Sequence, residues 1–97
     1  MEQTLVLDRE MGCTREDFMR WLGGATGHAP RRIEGDEIAL AVGAGEVRIA
    51  LRERPPRRIA LVSLPVLAVR FRFLGLDGPA REAFLAHFDA YTRRGGG

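Results

Sequence analysis

The sequence predicts a single α+β domain in which an antiparallel sheet is accompanied by two helices, in the order β-α-β-β-β-β-α. Segments in the middle of the chain alternate apolar and polar residues, which is the period-two pattern of half-buried strands. Two segments with helical periodicity flank them, and each follows capping residues. The chain has 97 residues, of which 45% are hydrophobic and 29% charged, so it suits one globular domain over residues 1–97.

The N-terminal third of the chain holds one predicted strand and one predicted helix. Residues 4–8, with the sequence Thr-Leu-Val-Leu-Asp, predict the first strand, and a loop follows it. Thr14 and Asp17 have the spacing of a capping box, so they predict the start of a helix. Apolar residues recur at helical spacing over residues 18–25, and the pair Gly23-Gly24 is expected to end the helix.

Four strands are predicted between the two helices. Residues 37–42 and 46–53 alternate cleanly, and the glycines of residues 43–45 join them as a tight hairpin. Residues 58–63 and 67–74 complete the set. One face of these strands and of the first strand is expected to form the core with both helices. The inward set consists of Leu5, Leu7, Ile38, Leu40, Val42, Val47, Ile49, Leu51, Ile59, Leu61, Leu67, Val69, Phe71 and Phe73, opposite Phe18, Leu22, Leu85 and Phe88.

Prolines interrupt the strand pattern at two places. Pro55 and Pro56 have no N–H to donate to a strand ladder, so residues 54–57 are expected to form a turn. Pro65 lies in the apolar link of residues 62–67, where a hairpin tip would normally carry polar residues. Two interpretations of this link stay open. Either a helix or a partner covers it, or the chain runs through as one long strand that bends at Pro65.

The last predicted element is a C-terminal helix. Pro79 suits its first helical position, after Asp77 or Gly78 as the cap. Apolar residues recur over residues 84–91 and form a stripe that faces the core. His87 is expected at the border of this buried stripe.

The order of these elements resembles that of the TBP-like and helix-grip folds. Four consecutive strands between two helices differ from a ferredoxin-like βαββαβ unit. In the folds that the order resembles, an antiparallel curved sheet surrounds a long C-terminal helix. The resemblance is one of element order along the whole chain. Because those folds include both nucleic-acid binders and binders of hydrophobic ligands, it leaves the function open.

The basic residues are unusual in kind and exclude several chemistries. All 15 are arginine, and the chain contains neither lysine nor asparagine. Without lysine there is no Walker P-loop and no Schiff base, and without asparagine there is no Cys-His-Asn triad. A composition rich in Ala, Gly and Arg is typical of GC-rich, bacterial-like genomes.

The expected location is the cytoplasm. The longest apolar stretch, residues 59–69, is shorter than the ~20 residues of a membrane span. The N-terminus has neither a basic nor an apolar leader segment, so we expect no signal peptide. A single cysteine cannot form an internal disulfide, which suits a reducing compartment.

The sequence predicts no cofactor, no metal site and no enzyme. His28, His87 and Cys13 are not arranged at any metal-ligand spacing. Cys13 directly precedes the predicted helix start, where the helix dipole stabilises a thiolate, so a thiol-dependent enzyme is one hypothesis. We favour the alternative, in which Cys13 is a small apolar side chain packed in a loop.

One outward face of the predicted sheet is the main candidate for a binding site. By strand alternation, this face collects five arginines: Arg48, Arg52, Arg58, Arg70 and Arg72. The residues between them are mostly alanine, so the long guanidinium groups would project from a surface of short side chains. Such a face suits bidentate recognition of phosphate or carboxylate groups. It equally suits self-association across a two-fold axis, or simple solvation with arginines paired to Asp8, Glu37 and Glu46.

The favoured hypothesis is a non-enzymatic binding module that dimerises or engages an anionic partner through this arginine and alanine face. The rival hypothesis is a binder of a small apolar ligand, held between the inner sheet face and the C-terminal helix. That rival requires a cavity beside Leu40, Leu51 and Phe88, whereas a filled core opposes it.

Overall fold

A computed structural model describes residues 4–27 and 30–96, together with the side chains of residues 5–27 and 30–92. The predicted order β-α-β-β-β-β-α and the α+β class are confirmed. Two of the predicted middle strands differ, since residues 31–34 form a strand that was not predicted and residues 58–63 form the tip of a hairpin instead of a separate strand. The elements are β1 (Thr4–Met11), α1 (Arg15–Ala25), β2 (Arg31–Glu34), β3 (Glu37–Val42), β4 (Gly45–Ile59), β5 (Val62–Leu74) and α2 (Gly78–Gly96). No helix of the described part is long and apolar enough to cross a membrane.

All five strands form one antiparallel sheet in the order β1-β5-β4-β3-β2. Strands β2 to β5 follow one another as hairpin neighbours, whereas β1 pairs with the last strand along its whole length. This pairing makes β1 longer than predicted. The stretch from Asp8 to Met11 continues the strand instead of forming a loop, because it lies opposite Leu67 to Arg70 of β5.

Both helices pack on the same face of the sheet. The ring of Phe18 in α1 lies 5.4 Å from that of Phe88 in α2, and Phe88 lies 5.7 Å from Phe71 of β5, measured between ring centroids. An ion pair of 2.6 Å between Arg9 of β1 and Asp89 of α2 holds the C-terminal helix to the edge strand. The opposite face, which we call the outer face, has no helix over it among the described residues.

Most of the predicted inward set is confirmed. The buried members are Ile38, Leu40, Val47, Ile49, Leu51, Leu67, Val69, Phe71 and Phe73. Leu7 and Val42 pack partly buried against this core. Leu5, Ile59 and Leu61 are exposed, so their prediction is wrong. Leu5 belongs to an edge strand, Leu61 lies in a hairpin turn, and Ile59 pairs with Val62 on the side of the sheet opposite to the core.

The predicted turn at residues 54–57 is wrong, because β4 runs straight through the two prolines. Arg54 pairs with Val66 and Arg57 pairs with Leu64, so β4 advances three residues over the distance in which β5 advances two. This is a β-bulge, in which β4 has one extra residue. The extra residue does not pair with β5, so the ladder uses fewer N–H donors at the two prolines. The prolines are tolerated because no third strand pairs with β4 there within the described sheet.

The link around Pro65 follows the second of its two interpretations, a single long strand. β5 is continuous from Val62 to Leu74, and the true hairpin turn is Ala60-Leu61. Pairing with β1 stops at Leu67 and pairing with β3 stops at Ala50, so the rest of this hairpin has only its own two strands. We call residues 54–66 the hairpin arm. The molecule measures 49 × 24 × 24 Å as a result of its elongated sheet.

The helix starts are confirmed and one helix end is corrected. In α1, the amide of Asp17 donates to the Thr14 hydroxyl at 3.1 Å, and the Thr14 amide donates to the Asp17 carboxylate at 3.4 Å. The helix passes through Gly23 and Gly24 and ends at Ala25. In α2, Asp77 is the cap, and its carboxylate accepts from the Ala80 amide at 2.9 Å.

Candidate binding surface

Four of the five predicted arginines lie on the outer face. In the antiparallel register, Arg48 is opposite Arg72, while Arg70 is opposite Ala50 and Arg52 is opposite Ala68. Residues that are directly paired point to the same side of a sheet, so these side chains share one surface. Small alanines stand beside the arginines, as the sequence predicts.

Arg58 does not belong to this face. Before the bulge, Arg54 points to the outer side together with Val66. After the bulge, Arg57 is the residue opposite Leu64, so Arg57 continues the outer side and Arg58 points to the other. The predicted position of Arg58 is therefore wrong, because alternation was counted through a stretch that contains one extra residue.

Three arginines of the outer face are already paired with carboxylates, and we call Arg48, Arg70 and Arg72 the paired arginines. Arg70 forms a two-pronged pair with Asp8 across β1 and β5, at 2.7 and 3.1 Å. These hydrogen bonds lower the pKa of Asp8 and raise the pKa of Arg70. Arg72 lies 2.9 Å from Glu37 and Arg48 lies 3.1 Å from Glu46. For these three residues, the interpretation as a solvated network of ion pairs fits well.

A second group of arginines has no such partner. Within the described residues, these side chains make no ion pair and no hydrogen bond: Arg52, Arg54, Arg57 and Arg58. We call them the unpaired arginines. All four are exposed and belong to β4, with Arg52 at the base of the hairpin arm and the others along it. Arg54 and Arg57 were missed at the sequence level because they stood in the predicted turn.

A groove of about 710 Å³ runs along the outer face at the base of the arm. Ala50 and Ala68 form part of its lining, with Arg52 and Arg54 to one side. Glu10 also lines it and forms no ion pair with any described residue. The groove leads from the paired arginines toward the arm, so an extended partner has room to lie there.

The end of the hairpin arm is apolar and exposed. Leu61 is fully exposed, and Ile59, Val62 and Leu64 are 56%, 55% and 42% exposed. Ala60 in the turn has a φ of +53°, a left-handed conformation that glycine adopts more easily. Aliphatic side chains and a strained alanine at a hairpin tip do not serve the stability of the hairpin itself.

The thiol and the histidines do not form a catalytic group in the described structure. Cys13 is only 3% exposed, and burial raises the pKa of its thiol to about 11, with a further contribution from the charge of Asp17. Little thiolate therefore exists at neutral pH, and that Cys13 is no nucleophile stays a prediction. His87 is exposed on α2 rather than bordering the buried stripe, and His28 lies outside the described residues. The described side chains contain no cluster of three metal-ligating residues.

Aromatic rings occupy the space between the inner sheet face and α2. Phe84 packs edge-on against Phe71 and Phe73, with ring centroids 6.4 and 6.1 Å apart, and stacks on Phe88 at 6.4 Å. Leu40, Leu51 and Phe88 are all buried in this core. Of these three residues, Leu51 lines the groove on the outer face, whereas Leu40 and Phe88 line none of the four grooves described on this part of the chain. The geometry therefore gives no support to an apolar ligand in this position.

No family model, no curated protein and no solved structure matches the chain. The functional conclusion therefore depends on the geometry of the outer face and the hairpin arm.

Proposed function

We propose that this protein is a non-enzymatic binding module that engages an anionic partner through its unpaired arginines. The observation that carries the proposal is the division of the arginines into two groups. A ligand that approached Arg70 would have to displace the carboxylate of Asp8, which already makes two hydrogen bonds to it. The unpaired arginines carry no such cost, and a guanidinium binds phosphate or carboxylate oxygens with good geometry.

The spacing of the unpaired arginines indicates an extended partner. From Arg52 to Arg58 the chain advances six residues, which corresponds to roughly 20 Å along a strand. This is about twice the screening length at moderate salt, so one small anion cannot neutralise the whole group. A polymer or a surface with repeated negative charges can do so.

Self-association is the second candidate, and the unpaired Glu10 beside the groove favours it. An arginine from a second copy could reach this carboxylate, and the alanines would provide apolar contact. A symmetric contact between two arms is disfavoured, since it would bring both sets of unpaired arginines together. Sedimentation at several salt concentrations separates the candidates, because association through alanines depends less on salt than association with a polyanion does.

The first experiment measures binding to a fluorescent DNA duplex of arbitrary sequence, used as a generic polyanion, over a range of salt concentrations. We expect log affinity to fall with log salt at a slope of roughly −2 to −3, as for the phosphate contacts of the three unpaired arginines that share one side of the strand. The test variant changes four unpaired arginines to glutamine: Arg52→Gln, Arg54→Gln, Arg57→Gln and Arg58→Gln. It should lose at least about tenfold in affinity at low salt, and its slope should approach zero.

A matched control variant removes the same amount of charge from arginines that have carboxylate partners. It combines Arg20→Gln, Arg32→Gln, Arg48→Gln and Arg70→Gln, which lie in pairs with Asp17, Glu34, Glu46 and Asp8. We expect it to retain most of the binding, since its arginines were already neutralised. Equal loss in both variants would contradict the proposal, and so would a parent protein that binds no polyanionic probe at low salt.

A further inference from the structure

The hairpin arm combines two features that point to one kind of partner. Its distal part, residues 59–66, contains no charged residue, and Ser63 is its one polar side chain. Arg58 lies opposite Ser63 and Arg57 lies opposite Leu64, so both arginines stand directly behind the tip of residues 59–62. Both are exposed and unpaired within the described structure. An apolar end followed by a cationic collar matches the layering of a lipid bilayer, where phosphates lie outside the acyl chains.

The dimensions of the arm agree with this layering. Ala60-Leu61 forms the turn, so Arg57 and Arg58 lie roughly 7–10 Å behind the tip at the rise of an extended strand. Interfacial protein segments bury their apolar side chains ~5–10 Å into the boundary between headgroups and acyl chains. With the tip at that depth, the two guanidinium groups would be level with the lipid phosphates.

We propose that the tip of the hairpin arm inserts into the interface of an anionic lipid bilayer while Arg57 and Arg58 bind lipid phosphates. This inference rests on the proposed function and names the partner of the same site. Each exposed aliphatic side chain that leaves water strengthens binding by roughly tenfold or more. Three of them, Ile59, Leu61 and Val62, stand at the tip without any cover from the described chain, and the exposed Leu64 follows at the level of Arg57.

The same observations argue against two other occupants of the arm. Sequence readout in nucleic acid needs hydrogen-bonding side chains at the contact, and the distal part has only Ser63. Addition of a further strand to the arm needs free backbone N–H groups along its edges. Pro55, Pro56 and Pro65 remove three of them, which is a common protection of edge strands.

The experiment compares sedimentation of the protein with vesicles of phosphatidylcholine alone and vesicles that also contain phosphatidylserine. We expect the parent to bind the anionic vesicles roughly 10–30-fold more tightly, as for two arginines at the surface. Leu61→Asp should lower vesicle affinity by about tenfold or more, because it places a charge at the inserted tip. Its affinity for the DNA duplex should stay within about twofold, since the phosphate contacts of the arginines remain.

A fluorescent label can report whether the tip inserts, because the chain has only one natural cysteine. Cys13 is buried, so a cysteine introduced at Leu61→Cys can be labelled selectively with an environment-sensitive fluorophore. The matched control is Ala44→Cys, which is exposed in the turn at the opposite end of β4. With anionic vesicles, we expect a blue shift of the emission from position 61 and none from position 44.

The outcomes separate this inference from the proposed function. If the parent binds the duplex through its unpaired arginines but ignores anionic vesicles, the lipid inference fails and a nucleic acid becomes the better partner. If Leu61→Asp weakens vesicle and duplex binding equally, or if position 61 shows no blue shift, the inference also fails. If the parent binds neither vesicles nor duplex, both proposals fail together.

Discussion

At the scale of single residues, the properties of each charged or reactive side chain in this protein depend on the groups that surround it. Arg70 and Arg52 both belong to the outer face, yet Arg70 grips Asp8 while Arg52 has no carboxylate among the described residues. Cys13 stands beside a helix start, which by itself favours a thiolate. Burial has the larger effect, and the thiol stays protonated with its pKa raised to about 11.

The first prediction concerns the pH dependence caused by Cys13. In the unfolded chain the thiol ionises near its ordinary pKa of 9.0, whereas in the folded protein it ionises near 11. The folded state therefore holds this proton more tightly. Its contribution to stability is complete below pH 9 and is lost as the pH rises through 11. Chemical unfolding across this range should show the loss in the parent and not in Cys13→Ala.

Labelling rates provide the complementary measurement for Cys13. A thiol reagent should react slowly at neutral pH, and the rate should keep rising beyond the pH at which an ordinary thiol, with a pKa of 9.0, is fully ionised. Fast labelling at pH 6 would show instead a stabilised thiolate, and the thiol-enzyme hypothesis would regain its basis.

At the scale of elements, the important feature is the bulge in β4. One extra residue between Arg54 and Arg57 reverses the alternation of the strand, so Arg57 joins the outer face and Arg58 leaves it. The bulge also allows β4 to pass two prolines and continue to Ile59.

The second prediction concerns the opposite end of β4. A methyl group added at Gly45 would overlap the backbone carbonyl oxygens of Leu74 and Gly75, which cannot move without shifting β5. We expect Gly45→Ala to lower the free energy of unfolding by roughly 1–3 kcal/mol. Gly12→Ala is the control, because open space surrounds that position and its φ is not left-handed. It should be neutral or stabilising by up to ~1 kcal/mol, and equal losses in both variants would contradict the close approach.

At the scale of the whole molecule, the fold divides into a packed end and an unsupported end. Near Phe71, β5 has strands on both sides and an aromatic core beneath it. In residues 57–64, the same hairpin has only its own two strands and no buried side chain. β4 alone has 15 residues, or roughly 50 Å of extended chain, which is comparable with the long dimension of 49 Å.

The third prediction is that the two ends open independently. Amide protons of Val69, Phe71 and Phe73 should exchange with solvent only on global unfolding, because they lie in the core of the sheet. Amides of residues 57–64 should exchange by local opening, at free energies several kcal/mol lower. Native-state hydrogen exchange followed by NMR measures both. Equal protection at Phe71 and Leu64 would mean that the arm belongs to the cooperative core.

Much of the fold could be predicted from local patterns in the chain. The capping box at Thr14 and the clean alternation of β3 and of the first half of β4 fixed their elements correctly. The buried face of these strands was also predicted correctly, since burial of one side of a strand makes apolar and polar residues alternate along the sequence. β2 escaped notice because an edge strand of four residues is mostly exposed and shows little pattern.

The binding surface could be predicted only in part. Strand alternation correctly placed Arg48, Arg52, Arg70 and Arg72 on one face, because the pairing of β4 with β5 is regular from the buried part of the sheet up to these residues. It could not show that Arg70 is engaged by Asp8, a residue 62 positions away, or that Arg52 has no comparable partner. Such pairings depend on strand order, which brings β1 beside β5 at long range.

The sequence by itself determined the class of the fold, the faces of its regular strands, the caps of its helices and the absence of lysine chemistry. These features are local, since each depends on residues within a few positions of one another. The tertiary structure alone decided where β4 bulges, how far the hairpin arm extends, and which arginines meet a carboxylate. The physical reason is that a proline pair reads as a turn in isolation, whereas pairing with β5 makes a bulged strand the arrangement that keeps both strands in register.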